Sequence, residues 1–295
     1  MYITPNSPRA WLLAARPKTL TGASVPVMIG CALAYSDGTF IPQVAILCFI
    51  FAFLMQIDAN LINDLFDFLK GSDREDRLGP ERACAQGWIT PLCMKYGIAI
   101  VTVLAALTGL MLLIYGGYEL IFIGAACILF AFLYTAGPYP LAYHGWGDIL
   151  VLIFFGFVPI GATYYIMSGT WTLPVGIASL ACGLVIDTLL LVNNYRDRYQ
   201  DAASGKQTIV VRLGDKAGFM LYMLAGLLAC FCCLVFIGYD HLWAALLPQL
   251  YLILHMRTTF RMGRIHHGKA LNDILGETSV NMLIFGILFS VGLLL

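Results

Sequence analysis

The chain has 295 residues, 60% of them hydrophobic and only 12% charged, with 17 Lys and Arg set against 17 Asp and Glu. With a mean hydropathy of +0.83, this composition excludes an ordinary soluble globular domain, in which about a quarter of residues are charged, and describes a polytopic membrane protein. Nine cysteines lie mostly inside apolar runs and show neither a disulfide framework nor zinc spacing.

Apolar runs fall at about 19–35, 41–66, 96–115, 118–136, 149–168, 173–194, 217–237, 241–256 and 278–295. Most are near the ~20 residues that cross a bilayer as a helix. They predict an all-α membrane bundle of about nine transmembrane helices in a single domain over 1–295. No apolar stretch precedes the charges of MYITPNSPRAWLLAARPKT, so no cleavable signal peptide is expected. The cations are one-sided. Arg9, Arg16 and Lys18 precede the first run, and Lys70, Arg74, Arg77, Arg82 and Lys95 follow the second. Arg196, Arg198, Lys206, Arg212 and Lys216 follow the sixth, and Arg257, Arg261, Arg264 and Lys269 the eighth, which accounts for all 17. Cations are retained on the cytoplasmic side. The expectation is therefore a multi-pass protein of the cytoplasmic (inner) membrane, with its N-terminus in the cytoplasm and its C-terminus outside.

The first run opens with WLLAARPKTL, where Arg16 and Lys18 stand at the mouth of a span. The second runs directly into DANLINDLFDFLKGSDREDRLGPER, residues 58–82, which places carboxylates where a span ends. Charge is costly there and is a functional signal by default. Asn60, Asn63, Asp64 and Asp67 lie at helical offsets 0, 3, 4 and 7 and share one face. Lys70 alone cannot balance that face, whereas carboxylate oxygens at this spacing suit a hard divalent cation such as Mg²⁺. The Gly-, Pro- and aromatic-rich connection at 136–148 reads as a structured turn.

The sixth run carries Asp187 and ends in Asn193, Asn194, Asp197 and Asp201, the last three at offsets 0, 3 and 7. This repeats the first cluster: Asn63-Asp64-x-x-Asp67 and Asn193-Asn194-x-x-Asp197 coincide after a shift of 193 − 63 = 130 residues. Cytoplasmic cap loops are expected after helices 2 and 6. Asn272, Asp273, Glu277 and Asn281 at the start of the last run offer a third polar contribution.

Four carboxylates, Asp64, Asp67, Asp197 and Asp201, would bring about −4 if the two tips meet, a charge that two Mg²⁺ would balance. Mg²⁺ is held by few carboxylates plus substrate phosphates, so the pattern points to a diphosphate whose tail lies among helices, a polyprenyl diphosphate. The competing reading is a cation transporter, since membrane carboxylates also build ion pathways. No nucleic-acid partner is expected, and the oligomeric state is open.

The stretches ARPKTL (15–20), NDLFDFLKGSDREDRLGPERA (63–83), YTAGPYPLAYHGWGD (134–148) and NNYRDRYQDAASGKQTIVVRLG (193–214) resemble the UbiA superfamily of intramembrane aromatic prenyltransferases. The KGSDxxDRxGPxR and NNxRDxxxDxxxGKxT runs are most similar to the branch that prenylates 1,4-dihydroxy-2-naphthoate. That resemblance implies a polyprenyl diphosphate donor, a naphthoate acceptor that is decarboxylated to demethylmenaquinol, and two Mg²⁺. It implies metal binding by Asp64, Asp67, Asp197 and Asp201; Gly71 stands where the superfamily often has a further Asp, which leaves Asp73 and Asp76 as secondary candidates. Arg77, Arg82, Lys206 and Arg212 are the candidates for the diphosphate, Arg16 and Lys18 for the diphosphate or the acceptor carboxylate. Asn63, Asn193 and Asn194 would position metal waters or phosphate. Relatives acting on 4-hydroxybenzoate, homogentisate or a tetrapyrrole are the alternatives within the superfamily.

Overall fold

The computed structural model describes residues 3–71 and 77–295, and every regular element among them is helical. In chain order these are α1 (Pro8–Ala15), α2 (Leu20–Ser36), α3 (Pro42–Leu69), α4 (Pro91–Gly116), α5 (Leu120–Thr135), α6 (Gly147–Val151), α7 (Val158–Ser168) and α8 (Leu173–Ala203). They continue with α9 (Ile209–Leu213), α10 (Asp215–Cys233), α11 (Leu242–Leu246), α12 (Leu250–Ile265) and α13 (Leu271–Leu294). Proline in the first turn starts α3, α4 and α8, where its missing N–H is not needed. Thr90 and Thr208 cap α4 and α9 through their side chains.

Among the described residues, seven stretches are long and apolar enough to cross a membrane: Pro8–Ser36, Pro42–Leu69, Pro91–Gly116, Gly147–Ser168, Leu173–Ala203, Asp215–Tyr239 and Leu271–Leu294. Two of the expected nine differ from this pattern. The fourth is the 16-residue α5, about 24 Å long at 1.5 Å per residue and short for a bilayer. The eighth is broken into α11, a 3₁₀ turn at Leu247–Gln249 and α12. Pro248 sits in that turn, and Gln249 repairs the damage by donating from Nε2 to the carbonyls of Cys230 (3.0 Å) and Ala245 (2.8 Å).

The helices form a ring. α4 packs along α3, α10 along α8, and the last helix, α13, lies beside α2, so the two ends of the chain close the circle. Where α6 passes into α7 the chain makes a π-helical turn, Leu152–Phe157, against α8. A Cβ on Gly156 would come within 2.5 Å of the Ser179 carbonyl, so glycine is what permits that approach. Outside the ring, Phe122, Ile114 and Ile253 are largely exposed, as lipid-facing side chains are.

Candidate functional site

The ring encloses a cavity of about 1540 Å³. Both Leu120 and Tyr134 of α5 line it, 134 − 120 = 14 residues apart, so it runs about 21 Å along that helix. Along most of its length the wall is apolar, with Val27, Phe51, Leu112, Ile123, Phe154 and Leu189. At one end it becomes polar, where Arg16, Lys18, Asn60, Asn63, Arg77, Arg82, Asn193 and Asn272 meet.

The tip of α3 builds one side of that rim. Asn60 donates from Nδ2 to the Ala15 carbonyl (3.0 Å) and to Thr19 Oγ1 (2.9 Å), which fixes the bend between α1 and α2. Arg16 occupies that bend with φ +52°, a left-handed conformation that costs a non-glycine residue about 1–2 kcal/mol. Its guanidinium lies 3.8 Å from Asp64. Asp64 is 1% exposed and accepts the backbone N–H groups of Ala83 (2.9 Å) and Cys84 (2.9 Å), one on each oxygen. One turn further on, Asp67 accepts from Arg82 Nη2 (3.3 Å) and from the Tyr143 hydroxyl (3.1 Å). Asn63 faces the cavity and accepts from Thr135 Oγ1 (2.9 Å). Lys70 caps the helix, donates to the Thr135 carbonyl and sits 4.8 Å above the Tyr143 ring. Burial lowers its pKa below that of a free lysine, and the negative charge of Asp67 partly restores it.

The tip of α8 builds the other side. Arg196, 1% exposed, makes a two-pronged bond to its neighbour Asp197, with Nε to Oδ1 at 2.7 Å and Nη2 to Oδ2 at 2.5 Å. It also donates to Asn193 Oδ1 (2.6 Å) and, on α13, to Asn272 Oδ1 (2.8 Å). Asp201 pairs with Lys206 at 3.4 Å, and the charges of both Asp197 and Asp67 reach Asp201. Lys206 in turn lies 5.9 Å from the centre of the Tyr143 ring. The connection between α5 and α6 thus bridges the two tips: Gln207 N–H donates to the Tyr143 carbonyl (2.8 Å) and Arg212 to the His144 carbonyl (2.9 Å).

Each expected carboxylate therefore already holds a cation: Asp64 with Arg16, Asp67 with Arg82, Asp197 with Arg196 and Asp201 with Lys206. Among the described residues no three His, Cys, Asp or Glu converge as a metal-binding group. Asp67 and Asp197 are turned to arginine side chains, Asp64 to the backbone N–H groups of Ala83 and Cys84, and Asp201 to Lys206 through one oxygen. Asn63, Asn193, Arg16, Lys18, Arg77 and Arg82 line the cavity, while the four aspartates stand behind its rim and Lys206 and Arg212 clamp the 136–146 connection. Asn194 is buried and turned to a small pocket shared with Lys206 and Thr208. Arg77 also bonds the Pro80 carbonyl, at 3.1 Å. Asp73 and Asp76 lie outside the described residues. Asp58 accepts from Thr102 on α4 (2.8 Å), away from the cavity. Asn272, Asp273, Glu277 and Asn281 of α13 do line the cavity, the third contribution the sequence offered.

Two participants were not singled out from sequence. Tyr143 lies in a connection without Lys, Arg, Asp or Glu until Asp148, so nothing marked it as the bridge between two acidic tips. In the sequence Arg196 stands out only as one of the cations that set orientation. Its spacing of one turn after Asn193, beside Asp197, was the available signal.

A long apolar cavity with a rim of cations and carboxylates at one end is the site of a membrane protein that takes an amphiphile with an anionic head. Comparison places the chain within that class. A model of the UbiA prenyltransferase family matches residues 23–285, and the chain belongs to that family. It is 36% identical to the 1,4-dihydroxy-2-naphthoate octaprenyltransferase of Escherichia coli strain K12, over 97% of this chain and 96% of that one. It is 35% identical to the enzyme of the same name from Mycobacterium tuberculosis, over 94% of each chain. Among solved structures, the apo form of a UbiA homolog from Aeropyrum pernix K1 superposes with a TM-score of 0.70 at 17% identity, covering 92% of this chain and 96% of that one. A UbiA homolog from Archaeoglobus fulgidus, bound to GPP and Mg²⁺, gives 0.67 at 15% identity over 97% and 99%.

Proposed function

We propose that this protein transfers a polyprenyl group from an allylic polyprenyl diphosphate to 1,4-dihydroxy-2-naphthoate, with decarboxylation, to give demethylmenaquinol for menaquinone biosynthesis. The observation that carries the reading is the cavity itself: a 1540 Å³ space whose one polar end gathers Arg16, Arg77, Arg82, Asn63 and Asn193 above an apolar shaft. The near full-length likeness to octaprenyltransferases of that acceptor supports it. A diphosphate belongs at the rim and a prenyl tail in the shaft.

The donor set fits a divalent metal. Carboxylate oxygens suit Mg²⁺, and Oδ2 of Asp201 is buried without a hydrogen-bond partner, an acceptor still open behind the rim. Asp67, Asp197 and Asp201, with Asp64, would hold two Mg²⁺, which when bound draw negative charge onto the leaving diphosphate. Arg77 and Arg82 face the same head group from the loop after α3. Arg16, held in its bend by the Asn60 contacts, and Lys18 both line the cavity and would receive the diphosphate or the carboxylate of the acceptor. The apolar wall excludes water from an allylic cation, and the π faces of Phe51, Phe154 and Tyr134 stabilise positive charge. The electron-rich naphthoate ring forms the new carbon–carbon bond as the carbon–oxygen bond to diphosphate breaks. Its carboxylate then leaves as CO₂, and the electrons of that bond restore the aromatic ring. The chain is one domain of the cytoplasmic (inner) membrane, with its rim and N-terminus in the cytoplasm and its C-terminus outside.

The test is to incubate membranes containing the protein with dihydroxynaphthoate and a labelled polyprenyl diphosphate, with and without chelator, and to identify the lipid formed. Demethylmenaquinol and diphosphate that vanish with chelator are the expected result. Metal flux without any prenyl product would point to the transporter reading, and product from 4-hydroxybenzoate but not the naphthoate would move the chain to another acceptor.

A further inference from the structure

The buried cation Arg196 has no role in the reaction as proposed, yet it stands where α8, α13 and the segment at 78–79 meet. Its guanidinium joins α8 to α13 through Asn193 and Asn272, both of which line the cavity. Asn272 donates from Nδ2 to the Leu78 carbonyl (2.8 Å), which ties the same junction to the segment carrying Arg77 and Arg82. Gly79 in that segment lies directly on the guanidinium: a Cβ there would fall 2.7 Å from Arg196 Nη2. Among the described residues, the two bonds to Asp197 are the ionic ones the group makes. A charge buried this deeply is tolerated only with an anionic partner, so Arg196 can give up Asp197 only if another anion takes its place.

We propose that Arg196 is a built-in counter-ion that changes partners when substrate binds. Before substrate arrives it neutralises Asp197. When a divalent cation takes the Asp197 oxygens, the guanidinium passes to the substrate's diphosphate, still tethered by the neutral oxygens of Asn193 and Asn272. The consequence is obligatory coupling. A divalent cation alone must strip Asp197 from Arg196 and strand a buried positive charge, and diphosphate alone must displace a carboxylate, so each ligand raises the affinity of the other by the same factor. The inference rests on the diphosphate reading of the site.

The experiment measures Mn²⁺ binding to the purified full-length protein by electron paramagnetic resonance, with and without inorganic pyrophosphate, so that no turnover is read. The wild type is expected to bind Mn²⁺ weakly alone and at least about tenfold more tightly with pyrophosphate. Arg196→Gln frees Asp197, so Mn²⁺ alone should bind about tenfold more tightly than in the wild type, and the gain from pyrophosphate should fall by a similar factor. Arg196→Lys keeps the charge but not the two-pronged grip and should change both quantities in the same directions by less; if the glutamine variant does not fold, the lysine variant decides. Unchanged or weaker binding of Mn²⁺ alone in these variants would show that Arg196 only positions Asp197 and would overturn the exchange. A wild type that binds no Mn²⁺ even with pyrophosphate, or an Asp201→Asn variant that binds it undiminished, would instead remove the diphosphate reading and the exchange with it.

Discussion

The tips of α3 and α8 carry the same pattern and solve its electrostatics differently. Each presents an asparagine to the cavity, Asn63 and Asn193, and turns the next residue away, Asp64 to the backbone of Ala83 and Cys84, Asn194 to the small pocket by Thr208. Each then carries an aspartate one turn later. At α3 the buried carboxylate is held mainly by backbone N–H groups of the loop that follows, which cannot leave without unfolding that loop. At α8 the carboxylate of Asp197 is held by a side chain, Arg196, which can. The α3 half is therefore the more fixed of the two through Asp64, whose counterpart is Asn194, while the aspartates that match in the repeat, Asp67 and Asp197, are each held by an arginine side chain. That is a useful division for a site that must be rigid enough to orient a diphosphate and adaptable enough to accept metal.

The largest expected effects lie in the aspartates. Asp197→Ala and Asp64→Ala should each lower turnover at least ~10²- to 10³-fold, the usual cost of losing one preorganised electrostatic group. They should differ in how they destabilise the fold. Asp64→Ala leaves two buried N–H groups without acceptors, at about 1–3 kcal/mol each, and should free the loop at 83–84 to protease. Asp197→Ala leaves that loop protected. If Asp64→Ala kept the wild-type rate at saturating Mg²⁺, Asp64 would be a pin for Ala83 and Cys84 alone.

Next comes the bond between Arg82 and Asp67. Arg82→Lys should raise the Michaelis constant for the polyprenyl diphosphate by about tenfold, roughly 1.4 kcal/mol. An unaltered constant would leave Arg82 as a mere partner of Asp67. A smaller loss is expected from Tyr143→Phe, which removes one hydrogen bond to Asp67 worth about 1 kcal/mol and so about fivefold in turnover. Because Tyr143 also sits between Lys70 and Lys206, a loss confined to the α3 half would show that the bridge serves Asp67 and not the pairing of the tips.

Much of this was legible. The apolar runs located most of the helices, and the polar clusters in 58–67 and 193–201 marked the two helix tips at the cavity's polar end, but helical offsets did not show that Asn63 and Asn193 would face the cavity while Asp64 and Asn194 turn from it. The likeness of the two clusters also foretold that Asn63 and Asn193 would be equivalent. Periodicity could not tell that α5 stops at 16 residues or that the eighth run breaks at Pro248, since both depend on how neighbouring helices satisfy the backbone. Nor could it reveal the counter-ions. The pairing of Arg196 with Asn272 spans 76 residues, and Tyr143 reaches Asp67 across the same separation, contacts decided by the folded ring rather than by local spacing.

The smallest effect separates a clamp from a ligand. Arg212 was expected from its position after the second motif to grip diphosphate, but its guanidinium donates to the His144 carbonyl (2.9 Å) at an exposed surface and it is absent from the cavity wall. A hydrogen bond from a charged group in such a place contributes little, because water replaces it at almost no cost. Arg212→Ala should therefore lower turnover no more than about twofold to threefold and leave the Michaelis constant for the diphosphate unchanged, a difference within 1 kcal/mol. A tenfold rise in that constant would mean that the 136–146 connection swings in with the substrate and carries Arg212 to the head group. In that case the α8 half of the rim would be mobile well beyond Arg196, and the contrast with the more fixed α3 half would extend to the whole of the second cap.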